Sequence, residues 1–383
     1  MKIAHVITRL IIGGAQENTI LTCEGLRLRG HDVTLIAGPE TGPEGSLWPQ
    51  AEARCGRTVR IDSLCRAVRP ADDWRCAGEL TEHFRGEGYD VVHTHSSKAG
   101  ILGRWAAHRA GVPLVVHTIH GMSFNRTQSA PIRALYAFLE RRAARWTHAF
   151  ISVADAMTDQ AVGAGIAPRD RFTTIRSGME TDHFAPDAIT RAEMHRRWEV
   201  PEDAVVIGTV ARLFRNKGYE HLLAALPRIV KRCPNAYFVW VGDGAQRAEY
   251  TATLEKLNLR SRVHLTGLVR PAEIPAILTG FDVLVHASAW EGLPRAIVQA
   301  SLTEVPPVSF DNDGAPEAID PGETGSLAPL GDADALADRV VELASDADLR
   351  RRLGQAARRK CMAMFDYHKM VAEIEALYAA GGK

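Results

Sequence analysis

Short apolar runs rich in β-branched residues alternate with longer helix-like stretches along the whole chain, and this alternation restricts the fold more than any other feature. In the first half the runs are Lys2–Ile7, Asp32–Ala37, Asp90–His93, Leu114–Ile119 and Ala149–Val153. In the second half they are Val205–Ala211, Ala236–Val241, Val263–Thr266, Val283–His286 and Pro307–Phe310. Continuous apolar runs suit strands buried on both faces, and helices between them imply right-handed βαβ units in parallel sheets. At roughly 100–200 residues per domain, a chain of 383 residues has room for two doubly wound α/β domains. The expected boundary lies between Ser177 and Pro201, where Gly178, Pro186 and the charged segment Arg191–Glu199 precede the next buried strand. This gives domains at residues 1–178 and 179–357, with a last helix over about Arg358–Ala380 beyond the second set of strands. Open sheets bind ligands outside the carboxyl ends of their strands, so two facing sheets predict a site in a cleft between domains.

Composition narrows the choice of partner. The 46 Lys and Arg are balanced by 46 Asp and Glu, so no whole-protein basic field exists and nucleic acid is not an expected partner. The cysteines (Cys23, Cys55, Cys65, Cys76, Cys233, Cys361) are scattered with no C-x-x-C pair, which favours reduced thiols over staples or a zinc ribbon. The opening segment is apolar but interrupted by His5 and Arg9, and no small-residue cleavage site follows. It reads as a buried strand and not as a signal peptide. No run approaches the ~20 apolar residues of a membrane span. The expected location is the cytoplasm, with peripheral contact at the inner face of the cell membrane left open.

Chemistry-bearing residues gather where strands end. The first strand runs into Gly13-Gly14-Ala15-Gln16 and then a helical pattern to Arg29. Paired glycines and a helix N-terminus suit a phosphate or a sugar oxygen, but a tight turn without ligand reads the same way. The G-x-G-x-x-G of a dinucleotide site is absent from this turn. Four histidines, His93 and His95 on one strand face and His117 and His120 at the next strand's end, form either a metal site or, with His120 aimed into the cleft, hydrogen-bonded packing of the other three. After Val205–Ala211 comes Arg212-Leu213-Phe214-Arg215-Asn216-Lys217-Gly218, in which Arg212 and Lys217 can flank a diphosphate or form a solvated basic loop. After Val283–His286, Ser288-Ala289-Trp290 leads into Glu291-Gly292-Leu293-Pro294-Arg295 and a helix carrying Gln299. A carboxylate before a glycine turn can accept two sugar hydroxyls while loop amides donate to the same ligand; the alternative is a capping Glu.

Taken in order and spacing, GGAQE (Gly13–Glu17), HTIHG (His117–Gly121), VARLFRNKG (Val210–Gly218), VGDG (Val241–Gly244) and SAWEGLPRAIVQA (Ser288–Ala300) resemble the retaining glycosyltransferases of family 4 across essentially the whole chain. The resemblance implies the GT-B fold, two facing Rossmann-like domains, with a nucleotide-sugar bound mainly by the second and an acceptor by the first. It implies that Arg212 and Lys217 bind the diphosphate and that Glu291 holds donor-sugar hydroxyls beside the Gly292 and Leu293 amides. It also implies that His120 lies near the donor sugar and Gly14 near the phosphates; Gly267, closing the strand at Val263–Thr266, is counted with the donor-binding set. The final helix would cross back to the first domain. No cofactor and no metal are expected, the nucleotide-sugar being a co-substrate, and the donor would be a UDP-sugar carrying a hexose or hexosamine. The acceptor would be a saccharide or a lipid-linked saccharide in polysaccharide or glycolipid synthesis.

The chain departs from the family pattern at three places. Gln299 stands where the second carboxylate of E-x7-E accepts the ribose hydroxyls, Asp313 precedes Gly314 where a glycine pair is usual, and Glu304 replaces another common glycine. These changes leave open weaker nucleotide affinity, a different donor, or a nucleotide-sugar-binding partner with reduced catalysis; an epimerase of the same fold is the other enzyme reading. Residues Arg126–Arg145 hold arginines at 126, 133, 141, 142 and 145, interleaved with Leu135, Tyr136, Phe138 and Leu139. As a helix this segment suits an anionic membrane surface and a lipid-linked acceptor, or packs its apolar side on the core.

Overall fold

Each of the apolar runs named above forms a parallel strand in the computed structural model, which describes residues 1–40, 45–125, 127–201 and 203–382. The strands of the first half are β1 (Lys2–Arg9), β2 (Asp32–Gly38), β3 (Arg57–Arg60), β4 (Val91–His95), β5 (Leu114–Ile119), β6 (Ala149–Ser152) and β7 (Phe172–Thr174). They make a 7-stranded sheet in the order β3-β2-β1-β4-β5-β6-β7. The second half supplies β8 (Val205–Val210), β9 (Ala236–Val241), β10 (Val263–Gly267), β11 (Val283–His286), β12 (Pro307–Phe310) and β13 (Ser326–Ala328). These form a 6-stranded sheet, β10-β9-β8-β11-β12-β13. In each sheet the winding direction reverses once, between β1 and β4 and between β8 and β11. Those reversals are where ligand crevices open in doubly wound sheets.

Strands β3, β7 and β13 were not among the expected runs. All three lie at sheet edges, where one side of the strand meets no neighbour and a long apolar run is not required.

The chain divides into two compact units, Met1–Met179 with Asp366–Lys383, and Glu180–Phe365. The single last helix expected over 358–380 is two helices, Ala347–Met364 and Tyr367–Ala379, so residues 358–365 stay with the second unit. The break is local chemistry. Asp366 accepts the amides of His368 at 2.8 Å and Lys369 at 3.2 Å and so caps a new helix, which an apolar periodicity alone reads straight through. In the first unit, Ile3, Ile7 and Leu35 pack with helices Gly14–Leu28 and Tyr367–Ala379 through Ile20, Met370, Val371 and Ile374. On the other sheet face Val6, Ile36 and Val92 meet helices Pro70–Glu87 and Ser97–Ala110 through Leu80, Phe84 and Ala106. In the second unit, helices Tyr219–Arg232 and Ala333–Ser345 cover Ile207, Phe238 and Val285 with Leu222, Leu226, Leu336 and Val340.

Glu304 and Asp313 take positive φ angles of 61° and 49°. This is the left-handed region that glycine enters without cost, so the two departures from the family's glycines keep a glycine-like backbone shape.

Candidate active site

In the second unit the loops at the carboxyl ends of neighbouring strands are stitched to one another. The Leu213 amide donates to the Asp243 carbonyl at 3.0 Å, and the Gly242 amide to the Gly267 carbonyl at 3.1 Å. Ala289 donates its amide to the Asn216 carbonyl at 3.1 Å, with the Ser288 hydroxyl on the same oxygen at 3.2 Å. Farther along, Gly314 donates to the Gly292 carbonyl at 3.0 Å, and the Glu291 amide donates to Asp313 Oδ2 at 2.8 Å. The Arg212–Lys217 loop and the Glu291–Leu293 loop thus flank the β8–β11 reversal as one connected surface.

Gly218 permits this approach. Its φ is +76°, and a Cβ there would meet the Ala287 carbonyl oxygen at 1.8 Å. Helix Tyr219–Arg232 starts on it and is anchored by buried Tyr219, whose hydroxyl donates to the Ala211 carbonyl at 2.9 Å.

Lys217 and Glu291, 74 residues apart in sequence, meet with Nζ 2.5 Å from Oε1. His286 Nε2 lies 3.4 Å from the same carboxylate oxygen. Burial pushes the Glu291 carboxyl up, but the Lys217 charge and His286 outweigh it and hold the group well below the ordinary carboxylate range. Glu291 therefore stands as an anion at neutral pH. Arg212 is exposed, its guanidinium 5.1 Å from the Phe214 ring centre. Gly292 and Leu293 are buried on the turn before helix Arg295–Leu302, and Gln299 lies half-buried on that helix. Gly267 has a φ of +72° and sits beside the Arg247–Asp243 pair.

In the first unit Gly14 opens helix Gly14–Leu28 directly after Gly13. His120 joins a run of histidines: its Nε2 is 3.0 Å from His95 Nδ1, and His95 Nε2 is 2.9 Å from His5 Nδ1. His5 pairs in register with His93 across β1 and β4. His5, His93 and His95 have candidate ligand nitrogens within 4.8 Å of one another, yet both nitrogens of His93 are taken by Tyr378 OH at 2.5 Å and Thr118 Oγ1 at 2.6 Å. Burial lowers the pKa of His5 to about 3 and those of His93, His95 and His117 well below the ordinary histidine value. Desolvation favours the neutral form of these four, and His93 is hydrogen-bonded through both nitrogens, while His5 Nε2 is buried without a partner.

Comparison with known proteins shows the family and the fold. The "Glycosyl transferase 4-like domain" matches residues 13–178 and "Glycosyl transferases group 1" matches residues 190–360. An Escherichia coli UDP-Gal:alpha-D-GlcNAc-diphosphoundecaprenol alpha-1,3-galactosyltransferase is 31% identical over 382 residues, covering 99% of this chain and 96% of the relative. The chain belongs to the group 1 glycosyltransferases. A Mycobacterium tuberculosis GDP-mannose-dependent alpha-(1-6)-phosphatidylinositol monomannoside mannosyltransferase is 28% identical over 359 residues, covering 90% of this chain and 89% of that one. Among solved structures, Anabaena HepE in complex with UDP and glucose superposes with a TM-score of 0.86 at 20% identity over 99% of this chain and 100% of HepE. The fold is GT-B.

Three features of this glycosyltransferase carried little signal in its sequence. His286 ends β11 as an ordinary-looking strand residue, and only its place five residues before Glu291 hinted at a role. His5 became visible once β1 and β4 were set in register. Asp311-Asn312-Asp313 has an Asp-x-Asp spacing, but Asp313 directs Oδ2 to the Glu291 amide and lies 3.3 Å from the Asn312 amide nitrogen.

Helix Ala130–Ala143 carries the arginine-rich segment; Arg126 lies outside the described residues. Its apolar side does not all pack on the core. Ile132, Leu135 and Phe138 are 46%, 55% and 59% exposed, while the helix's acid, Glu140, is buried against Arg104 at 2.6 Å. The outer face is left with apolar tips and cations, Arg133, Arg141 and Arg142.

Proposed function

We propose that this enzyme transfers a hexose or hexosamine from a UDP-sugar to a saccharide or lipid-linked acceptor, with retention of anomeric configuration, in polysaccharide or glycolipid assembly. The observation that carries the reading is Lys217 held 2.5 Å from Glu291 at the β8–β11 reversal. A cation for a diphosphate and a carboxylate for sugar hydroxyls stand side by side there. The E. coli relative, named for UDP-Gal and a diphosphoundecaprenol-linked GlcNAc, supports the choice of base and acceptor class.

Breaking the anomeric bond builds negative charge on the departing diphosphate. Arg212 and Lys217 lie where that charge would grow, and fixed cations stabilise it more in the transition state than in the ground state. Glu291, with the Gly292 and Leu293 amides, orients the sugar; Gly267 lets the backbone pass close to the nucleotide; Gln299 accepts a ribose hydroxyl through its amide oxygen. Gly14 and His120, both in the first unit, keep the roles that the family resemblance implies for them, near the phosphates and near the donor sugar. The acceptor attacks on the leaving-group face and the departing phosphate takes its proton, with no covalent nucleophile and no divalent metal. The test is a panel of UDP- and GDP-sugars with saccharide and lipid-linked acceptors, read by nucleoside diphosphate release and product anomer. We expect acceptor-dependent release from a UDP-sugar, undiminished by EDTA. Silence across all nucleotide-sugars refutes the reading, and loss in EDTA refutes metal independence.

A lipid-linked acceptor would bring the enzyme to the cytoplasmic face of an anionic membrane, and helix Ala130–Ala143 has the surface for that contact. Among the described residues no helix is long and apolar enough to cross a membrane, so contact would be peripheral. Each cation near an anionic surface contributes about 1 kcal/mol. Replacing Arg141 and Arg142 together by Ala is expected to weaken flotation with phosphatidylglycerol vesicles by roughly tenfold or more. Equal flotation of variant and parent removes the helix from the membrane contact.

A further inference from the structure

His286 is about nine-tenths buried at the end of β11, and its Nε2 makes no well-formed hydrogen bond beyond a loose approach to Glu291. Its nearest charged neighbour is Glu291, 3.4 Å away, whose carboxylate is held by Lys217 at 2.5 Å. This creates a conflict when a donor binds, an argument that rests on the donor-site reading above. Lys217 can turn to a diphosphate only by loosening its hold on Glu291. A part-buried carboxylate left without a cation is costly, and Glu291 must remain an anion to accept two sugar hydroxyls. We propose that His286 is a positioning residue that takes over Glu291 as Lys217 moves to the diphosphate, accepting one proton from solvent and donating Nε2–H to the carboxylate.

The surroundings favour this assignment. The elements packed against β11 offer no competing counter-ion to the imidazole. Strands β8 and β12 carry no charged residue, and helix Arg295–Leu302 carries only Arg295. On helix Ala333–Ser345, Asp334 and Asp338 are paired with Arg228, Asp338 also with Arg232, and Arg339 with Glu342. In the loop after β12, Asp311 is exposed and Asp313 is fixed 2.8 Å from the Glu291 amide, so the charged groups of that loop are both carboxylates. The proton balance is explicit: Lys217 keeps its charge, the donor brings two negative charges, Glu291 stays ionised and His286 gains one positive charge.

The experiment is calorimetry of UDP-glucose, UDP-galactose and GDP-mannose binding near neutral pH, in buffers of different ionisation enthalpy, with wild type, His286→Gln and His286→Leu. A sugar-capped diphosphate has no group of its own titrating in this range. Wild type is expected to take up ~1 proton per donor bound. His286→Gln keeps a donor for Glu291, so it should bind within about threefold of wild type but take up no proton. His286→Leu keeps the packing and loses the donor, so its donor KM should rise about tenfold or more with kcat less affected. Donor binding by wild type without proton uptake overturns the role of His286 and leaves the donor site standing. Undiminished uptake in His286→Gln puts the proton on Glu291 and also overturns it. Absence of binding for every nucleotide-sugar overturns both readings.

Discussion

Replacement of Lys217 by Ala is expected to lower kcat by about 10²–10³-fold, the usual effect of removing one preorganised group that meets developing charge. The Lys217 ammonium is placed by three independent constraints. Gly218 allows the loop to lie against Ala287, the Asn216 carbonyl is held by Ser288 and Ala289, and Nζ rests 2.5 Å from Glu291. Glu291→Ala should be as damaging, through loss of sugar orientation. Both single variants also break a part-buried ion pair, which can cost about 3 kcal/mol when one partner is left alone. Loss of activity must therefore be separated from loss of fold. The double variant Lys217→Ala/Glu291→Ala removes both charges and should recover most of the thermal stability lost by either single change, while activity stays at the floor. Stopped assays of diphosphate release at saturating donor, with melting curves on the same preparations, decide the matter. A Lys217→Ala enzyme retaining more than about a tenth of wild-type kcat excludes Lys217 from leaving-group stabilisation.

How much of this was legible beforehand depended on how local each determinant is. Strands buried on both faces are mostly apolar, so β8 and β11 stood out as runs, and so did β1 and β4 despite the buried His5, His93 and His95. Edge strand β3, with the sequence Arg57-Thr58-Val59-Arg60, is half solvated and has no such signature. The Lys217 and Glu291 loops were readable because each follows a strand and precedes a helix, and that order fixes their common end of the sheet. Their 2.5 Å contact was not readable, since it depends on β8 and β11 being neighbours across 74 residues. The same holds for His5, which meets His93 only through strand register. Exposure on helix Ala130–Ala143 was undecided in sequence because its periodic apolar residues suit either the core or a membrane. Burial of Glu140 against Arg104 decided which side faces inward. Asp366 is the opposite case: the capping side chain was visible, but an uninterrupted helical pattern on both sides hid the break.

Acidification from neutral pH to about 4.5 is expected to unfold the first unit before the second. His5, His93, His95 and His117 are all in that unit, fully or almost fully buried, and desolvation keeps each neutral in the folded state. A histidine with a folded pKa below its unfolded value binds more protons when unfolded, so stability falls as pH drops below the unfolded value of 6.5. For His5 the loss continues down to a folded pKa of about 3. It amounts to about 1.4 kcal/mol per pH unit, or about 3 kcal/mol by pH 4.5. The other three add in the same direction, against a typical domain stability of ~5–15 kcal/mol. The carboxylates with depressed pKa values, Glu87, Glu273, Glu291, Glu375 and Asp338, act in another window. Their stabilisation is complete above the ordinary carboxylate range and is lost as pH falls through it toward their depressed folded values. The buried thiols and phenols, Cys76, Cys361, Tyr219 and Tyr250, matter only in alkali, because their pKa values are raised. The interval from 6.5 to 4.5 therefore isolates the histidines. In the second unit burial also lowers His195 and His264, but each is only about half buried, so its contribution is smaller. Hydrogen exchange resolved by peptide should show strands β1, β4 and β5 losing protection near pH 5 while β8 and β11 keep theirs. Equal protection of both sheets down to pH 4.5 means that the histidine run is solvated or already protonated in the native protein.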